Sequence, residues 1–162
     1  MTPASADDRA RVEALYELYV YDFSEFLGLD VAEDGRFHGP SIASFFTELD
    51  RHALLFRADG LIVGFALVVE SSRLTGEPGV CDVAEFFVLR RHRRSGIGEQ
   101  AARWMFDRFP GRWEVRQKTE NPTATAFWRR VIGRYTSDRF EEIELDDDRW
   151  RGPVQRFDTR RR

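Results

Sequence analysis

Two hydrophobic periods run through the 162-residue chain, one of helical spacing and one of strand spacing. Residues 8–26 place apolar side chains at 12, 15, 16, 19, 20, 23 and 26, the three-to-four spacing of an amphipathic helix, which Gly28 is placed to end. Residues 28–40, with Gly35, Gly39 and Pro40, read as a loop, and Ser41 is suited to cap a short helix to about residue 49. Apolar runs at 53–56 and 61–69 flank Arg57-Ala58-Asp59-Gly60, whose Asp-Gly pair is a hairpin turn signal. After a second turn at 75–79, residues 80–89 form a strand with aromatic side chains on both faces, as a central buried strand requires. Polar residues follow, then a helix over 98–109 that Pro110-Gly111 terminates. Residues 113–118 alternate in strand fashion, and Pro122 opens a helix to about 132. Strands are expected over 134–145 and 150–158, and none before the first helix.

That order sets a hairpin ahead of a strand–helix–strand unit. It predicts an α/β (α+β) fold with a mixed sheet and helices packed on it, not a fully parallel sheet. No repeat, low-complexity block or linker divides the chain, so residues 1–162 read as one domain.

Composition narrows the classes. Hydrophobic residues make up 42% and aromatics 14%, enough for a packed core. The 25 basic and 28 acidic residues nearly balance, which argues against a general nucleic-acid or membrane-surface binder. Cys81 is the one cysteine, so an intrachain disulfide and a cysteine-based zinc site are excluded. His38, His52 and His92 lie far apart without ligand spacing, and no metal is expected. Residues 1–11 are polar, and the longest apolar run, 61–69, is about half of a membrane span. A soluble cytoplasmic chain is expected.

The chemistry concentrates at Arg93-Arg94-Ser95-Gly96-Ile97-Gly98. This segment leaves a buried strand and opens a helix whose first N–H groups lack intrahelical partners, which favours an anion. Gly96 and Gly98 let a diphosphate approach the backbone, and Arg93 and Arg94 add charged donors. A plain strand-to-helix turn with solvated arginines is the structural alternative. A Walker loop fails, because Gly98-Glu99-Gln100 supplies neither the lysine nor the hydroxyl. Residues 96–101 match the looser dinucleotide pattern G-x-G-x-x-A, but polar residues separate the first glycine from the strand.

With Val88 eight residues before Gly96, the segment resembles the Arg/Gln-x-x-Gly-x-Gly/Ala motif of the GNAT superfamily of N-acetyltransferases. A second family motif, Asn-x-x-Ala-x-x-Phe-Tyr, is matched by Asn121-Pro122-Thr123-Ala124-Thr125-Ala126-Phe127-Trp128. The resemblance implies a GNAT-like, mostly antiparallel central sheet with helices on both faces and splayed central strands. It further implies acetyl-CoA (CoA) as cofactor and acetyl transfer to a primary amine of a small molecule or peptide, by direct attack in a ternary complex. A non-catalytic acyl-CoA-binding or regulatory module is the alternative. Implied partners are the amine substrate and, if the chain self-associates, a second copy in a homodimer; nucleic acid and membrane are not.

On the same resemblance Phe87, Val88 and Leu89 would hold the pantetheine amides, and the Val88 N–H would polarise the thioester carbonyl. Residues Arg93, Arg94, Ser95, Gly96, Ile97 and Gly98 would take the pyrophosphate. Asn121 would bond the pantetheine arm or a water, and Phe127, Trp128 and Arg130 would lie near the cofactor. An alkylamine is mostly protonated at neutral pH, so a base is needed. Asp82 and Glu85 are the candidates, but three apart they face opposite sides of a strand unless a bulge intervenes. A glutamate within an aromatic strand is costly unless satisfied, which favours Glu85. Glu85-Phe86-Phe87-Val88 also resembles a short segment of spermidine/spermine acetyltransferases. Where relatives carry an acidic tyrosine this chain has Trp128, which leaves water or Tyr135 as the proton donor. Tyr21, Asp22 and Glu25 of the first helix are candidates for the substrate pocket.

Overall fold

A computed structural model describes residues 1–37 and 39–160; His38, one of the histidines weighed above, lies outside them. The first helix, α1 (Arg9–Leu27), ends at Gly28, whose left-handed backbone (φ 61°) lets its N–H close on the Ser24 carbonyl at 2.9 Å. Strands β2 (Arg51–Ala58) and β3 (Leu61–Ser71) form the expected hairpin. Asp59 and Gly60 both take positive φ (50° and 79°), the geometry that an Asp-Gly turn supplies. β4 (Pro78–Val88) lies antiparallel to β3, followed by α2 (Ile97–Arg108), β5 (Arg112–Arg116) and α3 (Pro122–Thr136). A final antiparallel pair, β6 (Glu141–Asp146) and β7 (Arg151–Asp158), completes the chain.

A short strand β1 (Thr2–Pro3) pairs with Leu55 and Leu54 at the outer edge of β2, correcting the expectation that no strand precedes the first helix. At that length no hydrophobic alternation can show. The sheet has seven strands in the order β1-β2-β3-β4-β5-β7-β6. All neighbours are antiparallel except β4 and β5, as the mixed, mostly antiparallel fold class requires.

Both faces of the sheet are covered, which is why β3 is buried from Val63 to Val69 without alternation. On one face Leu54, Phe56, Ala66, Val68, Val83 and Val88 meet the apolar sides of α2 and α3. On the other, Ala53, Leu55, Phe65, Leu67 and Phe87 meet Val12 and the half-buried Leu15, Tyr16 and Tyr19 of α1. Among the described residues, no helix is long and apolar enough to cross a membrane.

Two further boundaries differ from the periodicity. The short helix expected from Ser41 is a single 3-10 turn, Ala43–Phe46, with the Ser41 hydroxyl accepting from the Ala43 N–H at 3.3 Å. The strand expected from residue 134 begins at Glu141, because α3 continues through Thr136, whose hydroxyl donates to the Ile132 carbonyl at 2.8 Å. Ser137 and Asp138 then turn the chain in left-handed conformations, which β-branched, aromatic residues just before them had disguised as a strand.

Two departures from regular pairing shape the centre of the sheet. β4 and β5 pair only at Val80–Arg112, Cys81–Trp113 and Asp82–Glu114; beyond that point β5 follows β7 and the two strands part. Leu67 faces Glu85 while Val68 faces Val83, so β4 carries one extra residue, Ala84, in a bulge.

Gly64 lies opposite Val88 where β3 and β4 approach closely. A β-carbon there would run into the Phe87 carbonyl oxygen and lie 2.9 Å from the Phe56 ring. Gly64→Ala is expected to cost about 3 kcal/mol through this overpacking, lowering Tm by roughly 6–12 °C. Thermal denaturation followed by circular dichroism checks it; an unchanged Tm would show that the strands can part without cost.

Candidate active site

The point where β4 and β5 part is closed by an ion pair. Arg116 donates to both oxygens of Asp82, Nε to Oδ2 at 2.9 Å and an NH2 nitrogen to Oδ1 at 3.0 Å. Asp82 is fully buried and the Arg116 side chain is 5% exposed beneath the Trp150 ring, 4.3 Å away. Burial raises the Asp82 pKa, and the bond and charge of Arg116 oppose that rise. Asp82, a candidate base from its position, has both oxygens committed to this pair.

The bulge at Ala84 turns Glu85 to the α1 face, where the Tyr19 hydroxyl donates to its Oε2. This is the irregularity that two carboxylates three residues apart needed in order to share a face. Burial raises the Glu85 pKa; the Tyr19 bond and the charges of Arg73 and Arg116 pull the other way, and Asp82 adds to the rise. The Tyr16 phenol is pushed up to about 12, by burial first and then by the Glu85 charge. Tyr19 rises well above its ordinary value for the same two reasons, in the same order. Tyr19 packs edge-on to Phe65 and Phe87, so its ring is fixed by the core of α1.

Farther along β4 the Leu89 N–H bonds the Val63 carbonyl of β3 at 2.9 Å. Successive backbone groups alternate in direction, so Val88 and Phe86 present theirs to the gap left by β5. The Val88 carbonyl is taken by Arg93 Nε at 2.8 Å, while its N–H is left facing the gap. Of Phe87, Val88 and Leu89, Val88 is thus the residue with an N–H available there.

The loop to α2 has the geometry of an anion cradle. Arg94 (φ 61°) and Gly96 (φ 85°) are left-handed, and the first helical hydrogen bond is Gln100 N–H to the Gly96 carbonyl at 3.0 Å. Among the described residues, none supplies an acceptor to the backbone N–H groups of residues 94–99, and no side chain caps α2. These converging donors fit a diphosphate. The Ser95 hydroxyl donates to the His92 carbonyl at 2.6 Å, so it shapes the turn. Gly98 is needed for packing: a β-carbon would lie 3.2 Å from the Phe127 ring. Ile97 packs partly against the α2–α3 core.

The start of α3 contrasts with that of α2. The Asn121 side-chain carbonyl accepts the Ala124 N–H at 3.0 Å, an N-cap that uses this helix end internally. Phe127 lies against Phe86, and Arg130 is exposed. Trp128 is 5% exposed between Phe86, Phe106 and Phe127, so it serves as core. Tyr135 does not reach the site. Its hydroxyl donates to Asp107 at 2.8 Å and its ring packs on Phe106, on the opposite face of the sheet from Glu85, which corrects its selection as a proton donor.

The three α1 candidates for the substrate pocket separate. Tyr21 is 60% exposed toward Phe37, Glu25 is exposed, and Asp22 accepts from Arg93 and from Arg90 Nε, the latter at 2.8 Å. Asp22 therefore ties α1 to the anion loop. Sequence reasoning missed Tyr19 as the partner of Glu85 and Arg116 as the partner of Asp82. The available signal was a tyrosine pair, Tyr16 and Tyr19, on the sheet-facing side of a helix.

The model of the Acetyltransferase (GNAT) family matches residues 12–133. No curated protein matches the chain. Among solved structures, a Streptococcus mutans protein is 15% identical with a TM-score of 0.66, over 98% of this chain and 98% of that one. An acetyltransferase from Thermus thermophilus is 14% identical with a TM-score of 0.65, over 96% of this chain and 92% of that one. The GNAT domain of S. lividans PAT is 20% identical with a TM-score of 0.59, over 96% of this chain and 88% of that one. At these identities the likeness is one of fold. The family match covers both the strand parting and the two glycine- and asparagine-led helix starts, and the chain belongs to the GNAT family of acetyltransferases, as an N-acetyltransferase.

Proposed function

We propose that the chain transfers the acetyl group of acetyl-CoA to a primary amine of a small molecule or peptide, by direct attack in a ternary complex with Glu85 as base. The observation that carries this reading is the Glu85 carboxylate, half-buried and held by Tyr19, on the same strand as the unpaired Val88 N–H. Acetyl-CoA supplies the activated acetyl thioester. The N–H groups of residues 94–99 hold its diphosphate, and the gap beside Phe86 and Val88 receives its pantetheine arm. Val88 offers its N–H to the thioester oxygen, where negative charge develops. Glu85 accepts the proton of the attacking amine, directly or through water, as the C–N bond forms and the C–S bond breaks. A raised pKa makes it a stronger base than an exposed carboxylate. The loss of an acidic tyrosine at Trp128 is tolerable, because a thiol of ordinary pKa, about 8.5, leaves readily as thiolate. The non-catalytic alternative has no observation in its favour.

Incubation with acetyl-CoA and pooled amines should release free thiol, and Glu85→Gln should lower kcat by about 10²–10⁴-fold. The pH dependence follows from the direction of the shift. Folded Glu85 holds its proton more tightly than the unfolded chain, whose glutamate titrates near 4.5, so the folded state carries more protons between the two values. Stability due to this group is therefore lost as pH rises from 4.5 through the raised pKa, while activity is gained. The Tm of Glu85→Gln relative to wild type should climb across that window and then level off. A Tm difference that falls with pH would assign Glu85 a depressed pKa and remove it as the base.

Asp22 competes with phosphate for Arg90 and Arg93. Asp22→Asn should free both and tighten CoA binding about three- to tenfold, read by titration calorimetry. Weaker binding would mean that the Asp22 contact shapes the loop in its CoA-competent form.

A further inference from the structure

The turn between β3 and β4 is anchored more firmly than an exposed turn needs to be. Ser72 is 3% exposed; its hydroxyl donates to Glu114 Oε2 at 2.6 Å and accepts from the Leu74 and Thr75 N–H groups at 3.2 and 3.1 Å. Its own N–H bonds the Glu77 carbonyl at 2.9 Å, and Leu74 is 7% exposed. Arg73 stands between these two buried residues, so its backbone is fixed while its side chain is exposed. Among the described residues, no carboxylate, carbonyl or ring partners its guanidinium.

Arg73 is rooted beside the site. Ser72 reaches Glu114, the β5 residue opposite Asp82, and β3 runs alongside Asp82 and Glu85 before entering the turn. Two arginines act electrostatically on Glu85, namely Arg73 and Arg116. Arg116 is consumed by Asp82 in a two-point pair, and Arg156 beside it donates to Glu114 at 3.0 Å. The floor is therefore charge-balanced, and among the described residues neither the Glu85 carboxylate nor the Arg73 guanidinium has an ion-pair partner. Such a site complements a molecule with charges of both signs. A polycation would gain at Glu85 but be repelled at Arg73, contrary to the short resemblance to spermidine/spermine acetyltransferases.

We propose that the acceptor is an amino-carboxylate, a free amino acid in the simplest case, with Arg73 receiving its carboxylate while Glu85 faces its amine. This rests on the acetyl-transfer reading above and names its substrate class. A guanidinium and a carboxylate form charge-assisted, two-point hydrogen bonds, so the acid group would contribute both affinity and orientation. Arg73 is a specificity residue in this scheme; the proton transfer belongs to Glu85.

The test compares amino acids with their decarboxylated counterparts: L-leucine with isopentylamine, L-phenylalanine with phenethylamine, and L-lysine with cadaverine, with spermidine and leucylglycine added. Thiol release from acetyl-CoA is followed with the full chain and its Arg73→Gln and Arg73→Lys variants. At least one amino acid should exceed its decarboxylated partner in kcat/KM by roughly ten- to hundredfold. Arg73→Gln should collapse that ratio through KM, with Arg73→Lys recovering part of it. Leucylglycine, whose carboxylate lies farther from its amine, should be the poorer substrate of the L-leucine pair if the acceptor is a free amino acid. Equal or better turnover of the decarboxylated amines or of spermidine overturns the proposal, as does an Arg73→Gln effect that is the same for both members of a pair. If no acceptor releases thiol, the acetyl-transfer reading fails separately. Thermal shift with CoA plus L-phenylalanine or phenethylamine then decides. Stabilisation by the acid alone, lost in Arg73→Gln, supports the amino-carboxylate site, and no Arg73-dependent difference refutes it.

Discussion

Asp82 and Arg116 hold the place where two parallel strands stop being neighbours, and the rest of the site depends on that parting. Parallel strands in contact tend to continue pairing, because each unpaired N–H and C=O must otherwise find water or another partner. Here β5 is drawn away by β7, which pairs Val115 with Gln155 and Arg116 with Val154. The Arg116 side chain then turns back to Asp82 and fills the vertex. A buried ion pair of this kind need not add net stability, since desolvating both charges offsets much of their attraction. Removing one partner, however, strands the other in the core at a cost of about 3–5 kcal/mol. The pair thus works as a geometric constraint, and it leaves the Phe86 backbone groups and the Val88 N–H facing a gap instead of a strand.

The α1 face links Glu85 to helix docking. Only Val12 and Val20 of α1 are fully buried, so the helix leans on Tyr16 and Tyr19 for much of its hold on the sheet. Tyr19 spends its ring on Phe65 and Phe87 and its hydroxyl on Glu85. The contact that attaches the helix is also one that satisfies the half-buried carboxylate. Less than one turn farther on, Asp22 binds the loop before α2 through Arg90 and Arg93. One helix therefore touches both Glu85 and the loop that opens α2, the two places that the acetyl-transfer reading assigns to the base and the diphosphate.

The sequence made legible whatever local chemistry dictates. The helix over residues 8–26, the Asp59-Gly60 turn, the buried strand at 80–89 and the glycine-led start of α2 are all set by residues within a few positions of one another. The family resemblance added the parting of the strands, which no periodicity encodes. The side-chain partnerships were not legible. Tyr19 meets Glu85 across 66 positions, Arg116 meets Asp82 across 34, and Arg93 meets Asp22 across 71. Such pairs arise from topology, and a hydrophobic pattern carries no information on which polar residues the folded sheet brings together. The same reason explains Tyr135: it lies near the second motif in sequence but on the opposite face of the sheet from Glu85.

On the acetyl-transfer reading, the same half-buried carboxylate bears on the proton balance. A tyrosine at about 12, as at Tyr16, would have to give its proton to a thiolate whose conjugate acid lies near 8.5, a step uphill by about 5 kcal/mol. Tyr19 is likewise raised well above its ordinary value, by burial first and then by the Glu85 charge. Glu85, once it has taken the amine proton, is a carboxylic acid, a class of group that ordinarily gives up its proton far more readily than a phenol. The proton taken at nitrogen therefore has a more favourable route to sulfur from Glu85 than from either phenol. A dedicated phenolic acid at position 128 becomes dispensable, and the space it would occupy is given to an indole that packs the core beneath the gap.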